Sequence, residues 1–297
     1  MYNPASGRRR AERWAKAVND CLRREGFESN IRGTTVPGDA ERIAAEAVAA
    51  ASTNDRLCVV AAGGDGTVQE LVNAIVGHGT EKALLGVIPS GRCNDFARAF
   101  GLEGPPERIA RLLASGHSTT IDLGRIGQRY FCTVAAVGFD AAVSRYVNEM
   151  KMPLRGPAAY VYGTLAVLLR HRTPTLRLSG DFGEYEGPVF MAATANTPWY
   201  GGAMHIAPQA DALDGRLDVC LVTKISRTRV LRMLPKVMAG RHTELPEVRM
   251  LRTQRLTIEP VDDKSTVEVW ADGEPITRAP VTIECVPSAI RLIVPTG

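Results

Sequence analysis

Long apolar runs are missing from this sequence. The longest candidate, Ala158 to Leu169, has 12 residues and contains Gly163 and Thr164, short of the ~18–20 needed to span a bilayer. The chain opens Tyr2-Asn3-Pro4 and soon reaches Arg8-Arg9-Arg10, without the apolar stretch of a signal peptide. A cytoplasmic protein is therefore expected. Cysteine is sparse: the thiols at 21, 58, 93, 132, 220 and 285 form no C-x-x-C pair, which excludes the usual zinc spacings and argues against a disulfide scaffold. The five histidines form no H-x-x-x-H pair. There is no G-x-S-x-G elbow, no Gly-Lys dipeptide and no G-x-G-x-x-G after a strand. These absences remove the hydrolase-elbow, Walker A and dinucleotide-fingerprint readings. Internal repeats and low-complexity stretches are also absent.

What remains is a chain of globular composition, 45% hydrophobic and 23% charged over 297 residues. That length suits two domains and a sizeable core. The formal charge of +4 is too small to imply a nucleic-acid partner, but its position is informative. The first 122 residues hold 15 basic and 15 acidic side chains, so the whole excess falls after them.

The first ~120 residues alternate in a βα rhythm. Helices are expected at Ala11–Glu25, from Gly38 to Ala51, Thr67–Val76, Asn94–Phe100 and Pro106–Ala114. Strands are expected at Phe27–Arg32, Leu57–Ala62 and Ala83–Ile88. The two continuous apolar runs suit buried parallel strands, and the fold class expected is a doubly wound parallel α/β sheet. After residue 122 strand-like stretches dominate, at 129–137, 175–180, 188–196, 217–223, 254–260, 266–271, 281–286 and 290–294. Helices interrupt them near 139–150, 158–170 and 226–239. A β-rich, antiparallel sandwich-like second domain over 123–297 follows, behind a first domain over 1–122.

Three polar, glycine-containing turns lead into the helices of the first domain. They are Asn3-Pro4-Ala5-Ser6-Gly7, Gly63-Gly64-Asp65-Gly66-Thr67 and Pro89-Ser90-Gly91-Arg92-Cys93-Asn94-Asp95. One such turn is more often a plain strand-to-helix connection with Asp as a cap. Loops at the carboxyl ends of parallel strands share one crevice, however. There, backbone N–H groups at a helix N-terminus make an anion site. A carboxylate such as Asp65 suits Mg2+ that bridges phosphates.

Taken together these motifs resemble the diacylglycerol/sphingosine-type lipid kinase family. The resemblance rests on Asn-Pro-x-Ser-Gly, on Gly-Gly-Asp-Gly-Thr with Glu70 three residues on, and on Gly-x-x-Asn-Asp-Phe-Ala-Arg from Gly91 to Arg98. It continues through Gly138-Phe139-Asp140-Ala141, Asn196, Gly201-Gly202, Ala207-Pro208, Asp214-Gly215-Arg216-Leu217-Asp218 and Asp272-Gly273-Glu274-Pro275. Gly-Gly-Asp-Gly-Thr alone is shared with NAD kinases; the full set is not. The resemblance implies an ATP- and Mg2+-dependent kinase acting on diacylglycerol or a related lipid alcohol, with ATP between the two domains. It places Asn3, Ser6, Gly7 and Thr34 near the nucleotide and Gly63, Gly64, Asp65, Gly66 and Thr67 around phosphates. Glu70 and Asn94 would support that loop. Asp214, with the backbone carbonyls of Asp211 and Arg216, would hold Mg2+. Asp65 would be a water-mediated partner of a second, catalytic ion. The general base would be Asp272 or Glu274, a choice the sequence leaves open; the same Asp-Gly pair also reads as a hairpin turn. Two positions depart from the family. Arg92 stands where a threonine is usual, and its fork suits phosphate oxygens. Only Met1-Tyr2 precede Asn3, where the family has a full strand, and a missing central strand would leave sheet edges unpaired.

The basic excess has two concentrations. Arg145, Lys151, Arg155, Arg170, Arg172 and Arg177 face only Glu149 between 143 and 180, and nine Lys and Arg face Glu244 and Glu247 between 224 and 257. Basic flanks around the apolar segment Pro157–Leu169 fit a transient contact with an anionic membrane surface, hence a cytoplasmic protein peripheral to the inner face. A packed helix with a solvated basic rim fits equally. Met150, Met152, Met204, Met233, Met238 and Met250 suit either an acyl pocket or ordinary core filling. A homodimer is compatible with the sequence. The competing functions are an NAD-kinase-like enzyme and a non-catalytic lipid-binding protein on the same scaffold. The first does not account for the Asn3–Gly7 and Asn94–Arg98 motifs, and the second predicts loss of acidic residues that are all present.

Overall fold

A computed structural model describes every residue except 5, 54–56, 150–156, 203, 263–265 and 297. Met150, Lys151, Met152 and Arg155 thus lie outside the described residues. Two compact units emerge, Met1–Ile121 with Ser288–Gly297, and Asp122–Pro287.

The first unit begins with a 3-10 turn and α1 (Arg10–Arg24), which buries Ala11, Ala15 and Val18 at helical spacing and ends before Gly26. Then come α2 (Asp39–Ala50), β1 (Leu57–Gly63), α3 (Asp65–His78), β2 (Ala83–Pro89), α4 (Asp95–Ala99), α5 (Pro106–Ser115) and β3 (Ser118–Ile126). The apolar strands β1 and β2 pair in parallel, from Leu57 opposite Ala83 to Gly63 opposite Pro89. Both therefore end at the same edge, where the glycine turns follow. Ala15, Val18, Ala62, Ile88, Ile109, Leu113 and Ile293 form a core under that sheet.

The expected strand at Phe27–Arg32 does not form. Only Gly33 pairs, through a single bridge to Tyr2. Tyr2 donates its N–H to the Arg32 carbonyl and accepts from the Thr34 N–H, at 2.9 and 3.0 Å, and one pairing residue does not make a ladder. On the other side Tyr2 bridges Ala62, and the Ala62 N–H donates to the Met1 carbonyl at 2.8 Å. Residues 1–3 thus lie beside β1.

The second unit contains β4 (Arg129–Phe131), β5 (Val134–Gly138), α6 (Phe139–Glu149), α7 (Pro157–Leu168), β6 (Thr175–Gly180), β7 (Gly183–Pro188) and β8 (Met191–Ala195). It continues through β9 (Trp199–Tyr200), β10 (Met204–His205), β11 (Leu217–Val222), α8 (Arg227–Met238), β12 (Val248–Thr253), β13 (Arg255–Pro260), β14 (Glu268–Ala271), β15 (Glu274–Arg278) and β16 (Val281–Ile293). One antiparallel sheet runs β12-β11-β8-β5-β14-β15. A second antiparallel run is β16-β13-β6-β7. Val137, Leu178, Val219, Leu221, Ile258, Val269 and Ile283 from both pack face to face. The other face of the first sheet is covered by α6, α7 and α8 through Phe139, Val143, Leu168, Val230 and Met233. The sandwich-like architecture is as expected.

Besides β3 and the two-residue strands β9 and β10, sequence patterning misses β7, β12 and β15. All three are edge strands, solvated on one side and carrying Glu184, Glu186, Arg249, Arg252 and Pro275. Charge and proline on an edge block further pairing, and they also erase the apolar signal. The separate stretches 281–286 and 290–294 are one strand, bent at Ser288, which has φ +50°.

The end of that strand corrects the 123–297 assignment. Leu292 pairs in parallel with Leu85, the Val294 N–H donates to the His117 carbonyl at 3.0 Å, and Ile293 joins the first unit's core. Residues 288–297 are apolar enough to serve as a strand of either unit, and their pairing partners decide. Leu292 is fully buried. Leu292→Ala is expected to lower unfolding free energy by about 2–5 kcal/mol in a denaturant titration. A loss below ~0.5 kcal/mol would contradict this assignment.

Candidate active site

The three turns of the first unit converge. Gly7, at φ +56°, lies so close to β2's exit that a Cβ there would stand 2.1 Å from the Ser90 carbonyl oxygen. The Ser90 and Gly91 N–H groups both donate to the Gly63 carbonyl, at 2.9 and 3.0 Å. A Cβ on Gly91 would stand 2.3 Å from the Gly64 Cα, so only glycine allows these two loops to touch. Around Gly66 no atom lies within 4 Å of the Cβ position. Its backbone is open to an approaching ligand at the first turn of α3, where N–H groups lie outside the helix ladder.

Side chains tie the loops rather than reach outward. Asp65, in the first turn of α3, accepts the Phe96 N–H at 3.0 Å and so clamps the start of α4. Asn94, in the left-handed region at φ 53°, accepts the Gly91 N–H at 2.9 Å and donates to the Gly91 carbonyl at 3.2 Å. These bonds close its own loop and do not reach the 63–67 turn that it is expected to support. Glu70 does something else. It faces α2 and accepts the Ala40 and Glu41 N–H groups at 3.0 and 3.2 Å. Its position one turn into α3 aims it at the α2 N-terminus, not back at the glycine turn. Thr34 donates its N–H to Tyr2, and Asn3 and Ser6 form the first turn through an N–H to carbonyl bond of 2.9 Å. Thr67 packs its hydroxyl against Gly63. Arg92 is exposed on the third loop.

In the second unit Asp272 and Glu274 separate clearly. Asp272, at φ +50°, is half-buried and holds the Cys132–Thr133 segment. Its oxygens accept the Cys132 N–H at 2.7 Å, the Thr133 N–H at 2.8 Å and the Thr133 hydroxyl at 2.6 Å. Burial pushes its carboxyl above the usual carboxylate range, against the pull of these bonds. Glu274 is exposed at the start of β15 and lines a groove of about 690 Å³ with Arg145, Glu268, Trp270, Ile276 and Thr277. Neither Cys132 nor Thr133 stands out in the sequence; their part is set by strand pairing alone.

Asn196, fully buried, donates to the Asp122 and Cys132 carbonyls at 3.0 Å each. Asp122 in turn accepts the Gly215 N–H at 2.6 Å. The loop around Asp214 is closed by Asp211 accepting the Leu213 N–H at 3.1 Å and Asp214 accepting the Arg216 N–H at 3.0 Å. Among the described residues no three His, Cys, Asp or Glu side chains are grouped to hold a metal. The candidate donors here are one carboxylate and two carbonyls. All are oxygens, which fits a hard cation that keeps several waters.

Asp140 is a second buried carboxylate. One oxygen accepts the Tyr200 hydroxyl at 2.6 Å, and the other has no hydrogen-bond partner among the described residues. Burial pushes its carboxyl up from 3.8 to about 6, with Tyr200 pulling the other way. The folded state thus holds a proton that the unfolded chain releases. This group favours folding below its unfolded value, and that contribution is lost as pH rises toward about 6. Asp140→Asn is expected to flatten the fall in stability between pH 4 and 6 and to melt higher than wild type at pH 7. An unchanged pH profile of thermal melting would contradict it.

Comparison with known proteins identifies the family. Residues 1–126 match the diacylglycerol kinase catalytic domain, and residues 133–294 match the YegS C-terminal NAD kinase beta sandwich-like domain. The chain is 35% identical over 302 residues to a diacylglycerol kinase of Mycobacterium tuberculosis, covering 99% of this chain and 94% of that protein. It is 30% identical over 285 residues to a probable lipid kinase YegS-like of Pseudomonas putida, covering 95% and 90%. The fold matches the crystal structure of a diacylglycerol kinase from Bacillus anthracis with a TM-score of 0.77, at 22% identity, over 99% of this chain and 95% of that one. The chain belongs to the diacylglycerol kinase and YegS-like family of lipid kinases.

Proposed function

We propose that the protein uses ATP and Mg2+ to phosphorylate the hydroxyl of diacylglycerol or a closely related lipid alcohol at a membrane surface. The convergence of three glycine turns at the exits of two parallel strands carries this reading. The clamping of those turns by Asp65 and Asn94 leaves the backbone at Gly66 open for phosphates. Asn3 donates its N–H to the Ala62 carbonyl near the end of β1 and is tied to Ser6, Gly7 lies against Ser90 at the exit of β2, and the exposed fork of Arg92 suits phosphate oxygens. The relatives named diacylglycerol kinase favour that alcohol over NAD.

When bound, MgATP supplies the transferable phosphoryl group with part of its charge neutralised. Asp214, with the carbonyls of Asp211 and Arg216, would hold the ion in the second unit. The chain's own contribution to the transfer is positioning and proton acceptance. Glu274 is the base in this reading, because the oxygens of Asp272 are committed to Cys132 and Thr133. Glu274 would accept the proton of the substrate hydroxyl, making its oxygen the nucleophile toward the phosphoryl group that MgATP would supply. Asp272 fixes the turn that presents Glu274.

A membrane contact is supported by α7 and α8. Val161, Tyr162, Leu165 and Leu169 are exposed along α7 and just beyond it, and Leu231 is exposed on α8. Arg227 donates to the Leu169 carbonyl at 2.9 Å, so the two helices adjoin. Arg170, Arg172, Arg232 and Lys236, on or next to the same helices, are exposed as well. Such residues contribute about 1 kcal/mol each near an anionic leaflet.

In mixed micelles with ATP and Mg2+, diacylglycerol is expected to be phosphorylated and NAD not; phosphorylation of NAD alone would sink the reading. Glu274→Gln should lower kcat by about 10²–10⁴-fold without moving Tm, whereas Asp272→Asn should cost ~1–3 kcal/mol of stability. The opposite pattern would reverse the two roles. Leu165→Glu with Leu169→Glu should abolish co-sedimentation with anionic phospholipid vesicles while leaving Tm unchanged. Equal sedimentation of both proteins would discard this face.

A further inference from the structure

The loop read as the Mg2+ site already carries a cation. Arg252, on edge strand β12, directs its guanidinium at the Asp214 carboxylate, and its Nε lies 3.7 Å from an oxygen of Asp218. Asp218 stands directly opposite Arg252 in the β11–β12 register. Its side chain is only 3% exposed, and the oxygen facing Arg252 has no hydrogen-bond partner among the described residues. Asp211 and Asp122 lie in the same neighbourhood but are occupied with the Leu213 and Gly215 N–H groups. The other nearby guanidinium, Arg216, is drawn toward Asp181 at 3.8 Å. Arg252 is thus the cation that faces Asp214 and Asp218 together.

We infer that Arg252 is a resident counter-ion that competes with the divalent cation for Asp214, and that Asp218 is its alternative seat when the metal binds. The inference rests on the Mg2+ reading of Asp214 given above. Two carboxylates brought this close repel each other, and a desolvated one cannot rely on water for compensation. Arg252, with one positive charge between them, offsets part of that repulsion in the metal-free protein. A divalent ion on Asp214 removes the need for Arg252 there. Asp218, buried behind it, provides across the strand pair an oxygen that lacks a hydrogen bond and can draw the guanidinium closer than the present 3.7 Å. The arginine's fork makes this possible, since two donors at fixed spacing can serve two acceptors. Asp218 and Arg252 would therefore set cation affinity without being ligands themselves.

The test is binding of Mn2+ to the nucleotide-free full chain, read by electron paramagnetic resonance with Mg2+ as competitor. In Arg252→Gln the competing charge is gone, and Kd is expected to fall about three- to fivefold, the scale of a partly exposed ion pair. In Asp218→Asn the alternative seat and one negative charge are gone, and Kd is expected to rise by a similar factor. Metal-free Tm should fall in Arg252→Gln and be recovered by Mn2+. Should that variant fail to fold, Arg252→Lys keeps a charge but loses the fork and should tighten binding by a smaller factor. Equal Kd in wild type, Arg252→Gln and Asp218→Asn would overturn the inference while leaving the metal reading intact. Absence of binding in the wild type, or binding that survives Asp214→Asn, would overturn the metal reading and the inference with it.

Discussion

The carboxylate of Asp272 is the fixed point of the second unit. Its backbone sits at φ +50°, a conformation that costs a non-glycine residue about 1–2 kcal/mol. Hydrogen bonds to a charged acceptor return roughly 1.5–3 kcal/mol each, and Asp272 accepts three from Cys132 and Thr133. The strain is therefore more than offset, and the turn ahead of Glu274 is rigid. The same segment continues the chain of contacts. The Cys132 carbonyl accepts from Asn196, Asn196 also donates to the Asp122 carbonyl, and Asp122 accepts the Gly215 N–H. A continuous hydrogen-bonded path thus runs from the turn that presents the proposed base to the loop proposed to hold the cation. Loosening any member would disturb both.

The first unit is built on the same principle. Asp65 holds the start of α4, Glu70 holds the start of α2, and Asn94 closes its own loop. In each case a short polar side chain satisfies main-chain N–H groups that a helix start or a turn leaves unpaired. The motif residues therefore act first as fasteners of backbone geometry. What a ligand would meet is largely the backbone they hold in place, most plainly at Gly66. This is why glycine and small acidic or amide residues dominate the motifs. Glycine permits the contact of Gly64 with Gly91, and the polar side chains keep it from opening.

The βα rhythm, the two parallel strands and the antiparallel second half are all legible in the sequence, because each depends on local apolar periodicity. The three loops are legible as well, since glycine clusters after buried strands have a direct physical meaning. The failures have separate physical causes. The edge strands β7, β12 and β15 carry charge and proline where solvent permits, so no apolar pattern marks them. Phe27–Arg32 has strand-like composition but finds only one partner residue, Tyr2. Glu70 stands out in the motif, but its target, the start of α2, depends on the direction α3 gives it.

By itself, the sequence determined the element types, the order of the two folding units and the set of polar and glycine residues from which a phosphate-accepting site could be made. Those follow from periodicity, turn chemistry and composition, which act over a few residues. The tertiary structure decided matters that join distant positions. It returned residues 288–297 to the first unit, separated the tied Asp272 from the exposed Glu274, and set Arg252 across from Asp218 and against Asp214. No local rule encodes these, because each depends on which strand lies beside which, and that is settled only when the whole core packs.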